Sequence, residues 1–209
     1  MNRLKIAVTK GRLLESSLDL FEQMGFDCTE VRADTRKLIL PVTNYPLDVV
    51  LSKAADVLTY VSHGVCDLGI VGKDTIMEHG GSFYEMLDLG YGKCRFALAI
   101  PEGSDFYGTY RSRVVASKYP NVTKEYFAKK GMDVSVIKIE GSVELAPLVG
   151  LANGIVDIVQ TGTTLKENGL TAIETVAPVS ARLIINTASM KLHQQQIFDF
   201  VDRIREVQA

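Results

Sequence analysis

Short β-branched apolar runs alternate with stripes of helical period along most of this chain. Residues 4–9 form one such run and predict a buried strand, after which Leu14, Leu18, Phe21 and Met24 recur at helical spacing until Gly25 closes the helix. Residues 38–42 and 47–51 predict strands around the turn Thr43-Asn44-Tyr45-Pro46. The stripe Ala54, Val57, Leu58 and Val61 predicts the next helix, ending at Gly64, and residues 67–72 predict another short buried strand. That strand runs into Lys73-Asp74 and a helix that stops at Gly80-Gly81. Repeated strand-loop-helix units predict a largely parallel sheet with ligands at the carboxyl ends of its strands.

The texture changes over residues 90–95, a Gly-Tyr-Gly-Lys connection leading to a strand at 96–100 and a polar loop at 101–108. Strand-helix units then restart. A strand at 114–117 is followed by a helix opened by Pro120 and closed by Gly131, a strand at 134–139 and a helix from about Ser142. After the apolar run 155–159, a strand at 183–187 precedes a C-terminal helix with Ile197, Val201, Ile204 and Gln208 on one line, flanked by Phe198 and Phe200. That helix has no partner in the second domain's pattern and is expected to pack back on the first. The expected division is a discontinuous α/β lobe of residues 1–92 plus 179–209 and a second α/β lobe of residues 93–178, with the two connections as a hinge. No low-complexity segment or solenoid-period repeat interrupts this organisation.

Candidate chemistry centres on residues 157–165, Asp-Ile-Val-Gln-Thr-Gly-Thr-Thr-Leu. A strand ending in Thr161, Gly162, Thr163 and Thr164 before a short helix offers unpaired amide groups, a glycine that allows close approach and three hydroxyls, which together can cradle an anion. Asp157 lies before the loop, where a carboxylate could anchor a sugar hydroxyl or a metal ion. Without a ligand, the same residues would be a strand-turn-helix junction capped by threonine. Lys10-Gly11-Arg12, also at a strand end, is a second candidate anion site, or simply two solvated basic residues.

Composition narrows the class. The chain has 209 residues, 46% of them hydrophobic and 23% charged, with a net charge of −2, so it lacks the basic excess of a nucleic-acid protein. No apolar run reaches the roughly 20 residues of a membrane span, and the start of the chain carries no leader pattern, so a cytoplasmic protein is expected. Cys28, Cys66 and Cys94 are widely spaced and read as reduced thiols, the latter two beside strands. His63, His79 and His193 are far apart, and no serine, histidine and aspartate cluster suggests a nucleophilic hydrolase. Phe83, Tyr84, Tyr91, Phe106, Tyr107 and Tyr110 read as core and loop packing, although one could line a purine pocket. Two facing α/β lobes would form a cleft for a phosphorylated ligand, with Lys10, Arg12, Arg36, Lys53 and Lys73 on one side and Glu144, Asp157, Thr161, Gly162, Thr163 and Thr164 on the other. Glu144 also suits the first turn of a helix through the dipole alone.

Glu144-Leu-Ala-Pro-Leu-Val-Gly150, Asp157 and Thr161-Gly162-Thr163-Thr164-Leu165 together resemble the signature of the ATP phosphoribosyltransferase family, which catalyses the first step of histidine biosynthesis. Lys10-Gly11-Arg12-Leu13, Asp67-Leu-Gly-Ile-Val-Gly-Lys-Asp74, Cys94-Arg95 and Tyr119-Pro120 extend the resemblance over almost the whole chain. The length resembles the short form, without a C-terminal regulatory domain. The resemblance implies two periplasmic-binding-protein-like (type II) lobes with a ligand cleft between them. It also implies that adenine N1 of ATP attacks C1 of phosphoribosyl pyrophosphate, with Mg2+ held mainly by the substrate phosphates. Its implied partner is a regulatory subunit paralogous to histidyl-tRNA synthetase, and its implied assembly a homodimer within a hetero-oligomer.

Carried over by position, the resemblance gives the donor's 5-phosphate to Thr161, Gly162, Thr163 and Thr164, and its ribose hydroxyls to Glu144 and Asp157. Lys10, Arg12 and Lys53 become the expected catalytic cations, and Arg36, Gly72 and Lys73 contacts for ATP or pyrophosphate. Two positions depart from the family pattern. Lys53 stands where an arginine is usual, and Leu58 where a proline is usual. Lysine supplies charge without the bidentate fork, which predicts a slower chemical step. Rival classes are a non-catalytic solute-binding or effector-sensing protein on the same architecture, and a phosphoribosyltransferase acting on free bases. The latter commonly shows two adjacent acidic residues before the phosphate loop, whereas Val156 precedes Asp157 here.

Overall fold

The computed structural model describes residues 3–33, 35–108 and 112–209; Tyr110 lies outside the described residues. The chain divides into two compact units, lobe I from Met1–Gly92 with Ser180–Ala209, and lobe II from Lys93–Val179. Lobe I runs β1 (Leu4–Thr9), α1 (Arg12–Gln23), α2 (Thr29–Arg32), β2 (Ile39–Val42), β3 (Leu47–Ser52), α3 (Ala54–Ser62), β4 (Leu68–Gly72), α4 (Lys73–His79) and β5 (Phe83–Asp88). Lobe II follows with β6 (Cys94–Pro101), β7 (Arg113–Ser117), α5 (Pro120–Lys129), β8 (Val134–Lys138), α6 (Leu145–Leu148), β9 (Gly154–Val159), α7 (Thr163–Glu167) and β10 (Leu170–Val179). The chain then re-enters lobe I with β11 (Ala181–Asn186), α8 (Ser189–Leu192) and α9 (Gln194–Gln208).

The lobe I sheet has the order β2-β3-β1-β4-β11-β5. The middles of its central strands, Ile6-Ala7-Val8 of β1 and all of β4, are apolar because both faces are covered there. On β1 the period of two sends Ile6 and Val8 to one core and Ala7 to the other. The first core takes Leu18 and Phe21 from α1 and Ile197, Phe200, Val201 and Ile204 from α9. The second takes Val57, Leu58 and Val61 from α3. Phe200 is a core residue rather than a flanking one, since it lies three residues after Ile197 and meets Phe21 edge-on at 5.9 Å.

Lobe II has the order β10-β6-β9-β7-β8. Ala97, Ala116, Ile155 and Val159 share one face of this sheet with Val143, Ala146 and Leu165.

Each sheet is parallel only in part, over β3-β1-β4 at the centre of lobe I and over β9-β7-β8, from the middle to one edge, in lobe II, so the expectation of largely parallel sheets is corrected. Strands β2, β11 and β5 in lobe I and β6 and β10 in lobe II are antiparallel to their neighbours. Strands β5 and β10 add to those predicted from the pattern. The period of β10 is broken by register shifts between Ala172 and Glu174 and between Thr175 and Ala177, and its Pro178 is a residue of edge strands.

The two parallel parts follow one course. The first strand connects to a neighbour on one side, and the next crossover returns past it to the other side. The reversal falls at β1 in lobe I and at β7 in lobe II. Ligands of open α/β sheets bind outside the carboxyl ends of strands at such reversals.

Candidate active site

In lobe II, Ser117 ends β7 and is fully buried. Its hydroxyl donates to the Val156 carbonyl at 2.6 Å and accepts the Tyr119 amide at 2.9 Å. This staples the turn after β7 to β9. Asp157 lies on the face of β9 that Ile155 and Val159 share, so its carboxylate emerges from an aliphatic surface. It accepts the Ile158 amide at 2.8 Å. Burial pushes its pKa up from 3.8 to about 6; the Ile158 amide opposes the rise, nearby Glu144 adds to it, and Lys118 works against it. Glu144, partly exposed, is the residue before α6.

The loop after β9 turns through Gly162, whose φ of 82° is left-handed and suits glycine. The Thr161 and Thr163 hydroxyls are 3.1 Å apart. The first bond of the following helix runs from Lys166 N–H to the Gly162 carbonyl. The earlier amides therefore have no acceptor within the helix. Asp157, Glu144 and this loop form one acidic-to-neutral cluster. It could hold vicinal hydroxyls on its carboxylates and an oxyanion on its amides and hydroxyls.

In lobe I the candidate cations gather at strand ends. Lys10 follows β1, Lys53 follows β3, and Gly72 and Lys73 join β4 to α4. The Lys10 amide donates to the Ser52 carbonyl at 3.0 Å, which ties the first two strand ends together. Gly11 takes φ 90°, a conformation open to glycine, so that α1 can begin at Arg12 directly after the turn. Because β2 is antiparallel to β3, Arg36 enters near the same end, just before the Leu38 carbonyl accepts Leu51 N–H at 2.8 Å. Lys73 is already committed. Its ammonium meets Glu85 at 2.5 Å, and Glu85 is shared with Arg182 at 3.5 Å, which also pairs with Asp88 at 2.9 Å. Among the described residues, two buried polar atoms here have no hydrogen-bond partner, the Ser52 hydroxyl oxygen and Arg182 Nε.

Three of the candidate aromatics have packing or hydrogen-bonding partners. Tyr91 hydrogen-bonds Ser17 at 2.8 Å, Phe106 packs on Phe127 at 5.9 Å, and Tyr107 donates to Glu174 at 2.7 Å. Cys28 and Cys66 are buried free thiols, both pushed up to about 11 chiefly by burial, while Cys94 is only partly buried. Among the described residues, no group of three or more His, Cys, Asp or Glu side chains is placed to hold a metal ion. Sequence reasoning missed Lys118. Its place shows only in the ladder, where Ser117 pairs with Val156 and the next residues along the two chains are Lys118 and Asp157.

The family model for ATP phosphoribosyltransferase (HisG) matches residues 53–206. The chain belongs to the ATP phosphoribosyltransferase family. An ATP phosphoribosyltransferase from Clostridium kluyveri is 53% identical over 203 residues, covering 97% of this chain and 93% of the relative. One from Listeria monocytogenes is 52% identical over 207 residues, covering 99% and 97%. Among solved structures, the Thermotoga maritima ATP phosphoribosyl transferase (HisG:HisZ) complex has a chain that superposes with a TM-score of 0.82 at 31% identity, covering 98% of each chain. The periplasmic aliphatic sulphonate binding protein SsuA of Escherichia coli gives a TM-score of 0.62 at 12% identity over 99% of this chain and 72% of its own, which shows a shared fold. The ATP phosphoribosyltransferase architecture is thus two periplasmic-binding-protein-like α/β lobes, and the chain is a phosphoribosyl transferase.

Proposed function

We propose that this chain condenses ATP with 5-phosphoribosyl 1-pyrophosphate to give N1-(5-phosphoribosyl)-ATP and pyrophosphate, the first step of histidine biosynthesis, using the two clusters described above. The observation that carries the division of labour is the lobe II cluster, in which Asp157 and Glu144 are electrostatically coupled beside the Thr161, Gly162, Thr163 and Thr164 loop. There the carboxylates take the ribose hydroxyls and the loop takes the 5-phosphate. Lys10, Arg12 and Lys53 serve the departing pyrophosphate, and Arg36, Gly72 and Lys73 serve the phosphates of ATP or pyrophosphate.

Adenine N1 is unprotonated at neutral pH, so no strong general base is required. The barrier lies in separating pyrophosphate from a cation-like ribose, which positioned cations lower. Two carboxylates do not make a protein cage for Mg2+; bound mainly through the substrate phosphates, the usual arrangement for this metal, it would supply charge neutralisation at the leaving group.

Among the described residues, no helix is long and apolar enough to cross a membrane. A cytoplasmic location belongs to the same reading and is favoured by the use of ATP as a substrate. The T. maritima HisG:HisZ complex supports a second subunit as partner. That this partner is regulatory and paralogous to histidyl-tRNA synthetase, around a homodimer of catalytic chains in a hetero-oligomer, belongs to the same proposal and rests on the family resemblance. The test mixes the protein with ATP, phosphoribosyl pyrophosphate and magnesium, adds pyrophosphatase, and follows the absorbance of N1-alkylated adenine. Turnover abolished by Asp157→Ala is expected. If neither the chain alone nor the chain with its partner turns over, a solute-binding role replaces the enzyme reading.

A further inference from the structure

Lys118 opens the turn that follows β7, one residue beyond the last pair of the β7–β9 ladder. Ser117 pairs with Val156 in the parallel β7–β9 ladder, and the Ser117 hydroxyl locks both the Val156 carbonyl and the Tyr119 amide. Lys118 and Asp157 are the residues next after that pair on the two chains, so they are backbone neighbours where the ladder ends. This is also the reversal point of the lobe II strand order, and ligands of open α/β sheets bind outside the strand ends at such a point. Lys118 is exposed, and its ammonium acts on the Asp157 carboxylate through space.

The other charges around Asp157 come from each element packed against it. On β9 itself the Ile158 amide touches the carboxylate. On β6, Ala97 is directly opposite, and Arg95 pairs two positions further on with Val159. Before α6 stands Glu144, and Glu140 is already paired with Lys138 at 2.6 Å. On α7, Leu165 faces the core while Lys166 and Glu167 are exposed. Glu144 and the aliphatic face both oppose charge on Asp157, and Lys118 is the cation that favours it.

We propose that Lys118 is a positioning residue of the phosphoribosyl site, whose ammonium keeps the neighbouring Asp157 carboxylate charged so that it accepts two hydroxyl protons of the sugar. The proposal rests on the phosphoribosyl reading of lobe II. A protonated Asp157 would accept less well and would present its own proton to a ligand hydroxyl, so the ammonium sets the pH above which the donor binds productively.

Two measurements test this. The first follows kcat/KM for phosphoribosyl pyrophosphate against pH, at saturating ATP, in wild type, Lys118→Met and Lys118→Arg. The acid limb is expected to move up by about half to one unit in Lys118→Met. The plateau should be largely kept, and Lys118→Arg should restore the limb. In about 1 M salt, where the Debye length falls to about 3 Å, the wild-type limb should approach that of Lys118→Met. The second titrates the Asp157 side-chain carboxyl carbon by NMR in the ligand-free protein and should show the same displacement. An unmoved carboxyl titration in Lys118→Met overturns the proposal, whatever the kinetics. A displaced titration without turnover in any protein keeps the Lys118–Asp157 coupling and removes the enzymatic reading instead.

Discussion

Replacing Asp157 with asparagine should make the ligand-free protein more stable at neutral pH while removing its activity. Burial among the alanine and valine side chains of lobe II, with Glu144 nearby, raises this carboxyl from 3.8 to about 6. The folded protein therefore holds the proton more tightly than the unfolded chain does. Between those two values the folded state binds more protons, so stability falls as pH rises from about 4 through about 6 and stays lower above it. The whole shift corresponds to about 3 kcal/mol. Partial solvent access reduces this, and about 1–2 kcal/mol is expected at pH 7, equivalent to a rise in Tm of roughly 2–8 °C for a chain of this size. Asparagine keeps an oxygen for the Ile158 amide, so the local hydrogen bond need not be lost.

With no tryptophan in the chain, unfolding in urea is best followed by circular dichroism. The difference between variant and wild type should be near zero at about pH 4, grow through pH 6 and level off by about pH 7. A difference independent of pH, or a variant less stable at pH 7, would refute the claim that ionised Asp157 is a strained group. A site that stores such a penalty for the sake of ligand binding is a familiar trade between stability and activity.

Lys53→Arg should raise the single-turnover rate roughly 3- to 10-fold by restoring a bidentate fork; an unchanged rate would remove this position from the chemical step. Glu85→Gln should lower stability by about 1–3 kcal/mol in urea titrations, because Lys73 and Arg182 lose their shared counter-charge and Arg182 Nε is already without a partner. A loss below a few tenths of a kcal/mol would make that network ornamental. Phe200→Ala should cost about 3–5 kcal/mol, read as a drop in the denaturant midpoint, since the ring is fully buried against Phe21. A cost near 1 kcal/mol would mean that the α9 face repacks easily.

What the sequence made legible is governed by local rules. Strands buried on both faces are continuous apolar runs, as in residues 6–8 of β1 and in β4, and α9 shows its stripe because one face meets a core. The Asp157 to Thr164 motif is contiguous, so its residues could be named before any fold was known. Non-contiguous features were hidden. The two bulges of β10 break its period, and the Lys73–Glu85 pair joins α4 to a strand whose apolar pattern is weak. Lys118 and Asp157 are neighbours only through the register of two strands with a helix, a third strand and a second helix between them in sequence.

The same comparison shows why one topology can carry two different chemistries. Both lobes reverse strand order beside their first parallel strand, and both place short loops at the carboxyl ends there. In lobe I those loops hold Lys10, Lys53 and Lys73, and the Ser52 hydroxyl at the end of β3 is buried and unpartnered. In lobe II they hold Lys118, Glu144 and the threonine loop, around a carboxylate set in an aliphatic face. The backbone supplies amide groups and a crevice in each case. In the proposed reading it is the side chains that let one lobe offer charge to a leaving group, and the other offer carboxylates to hydroxyls and neutral donors to a phosphate. Removing one charge, as in Lys118→Met, should therefore shift the titration of lobe II while leaving its ladder and core intact, because Lys118 is exposed and lies outside both.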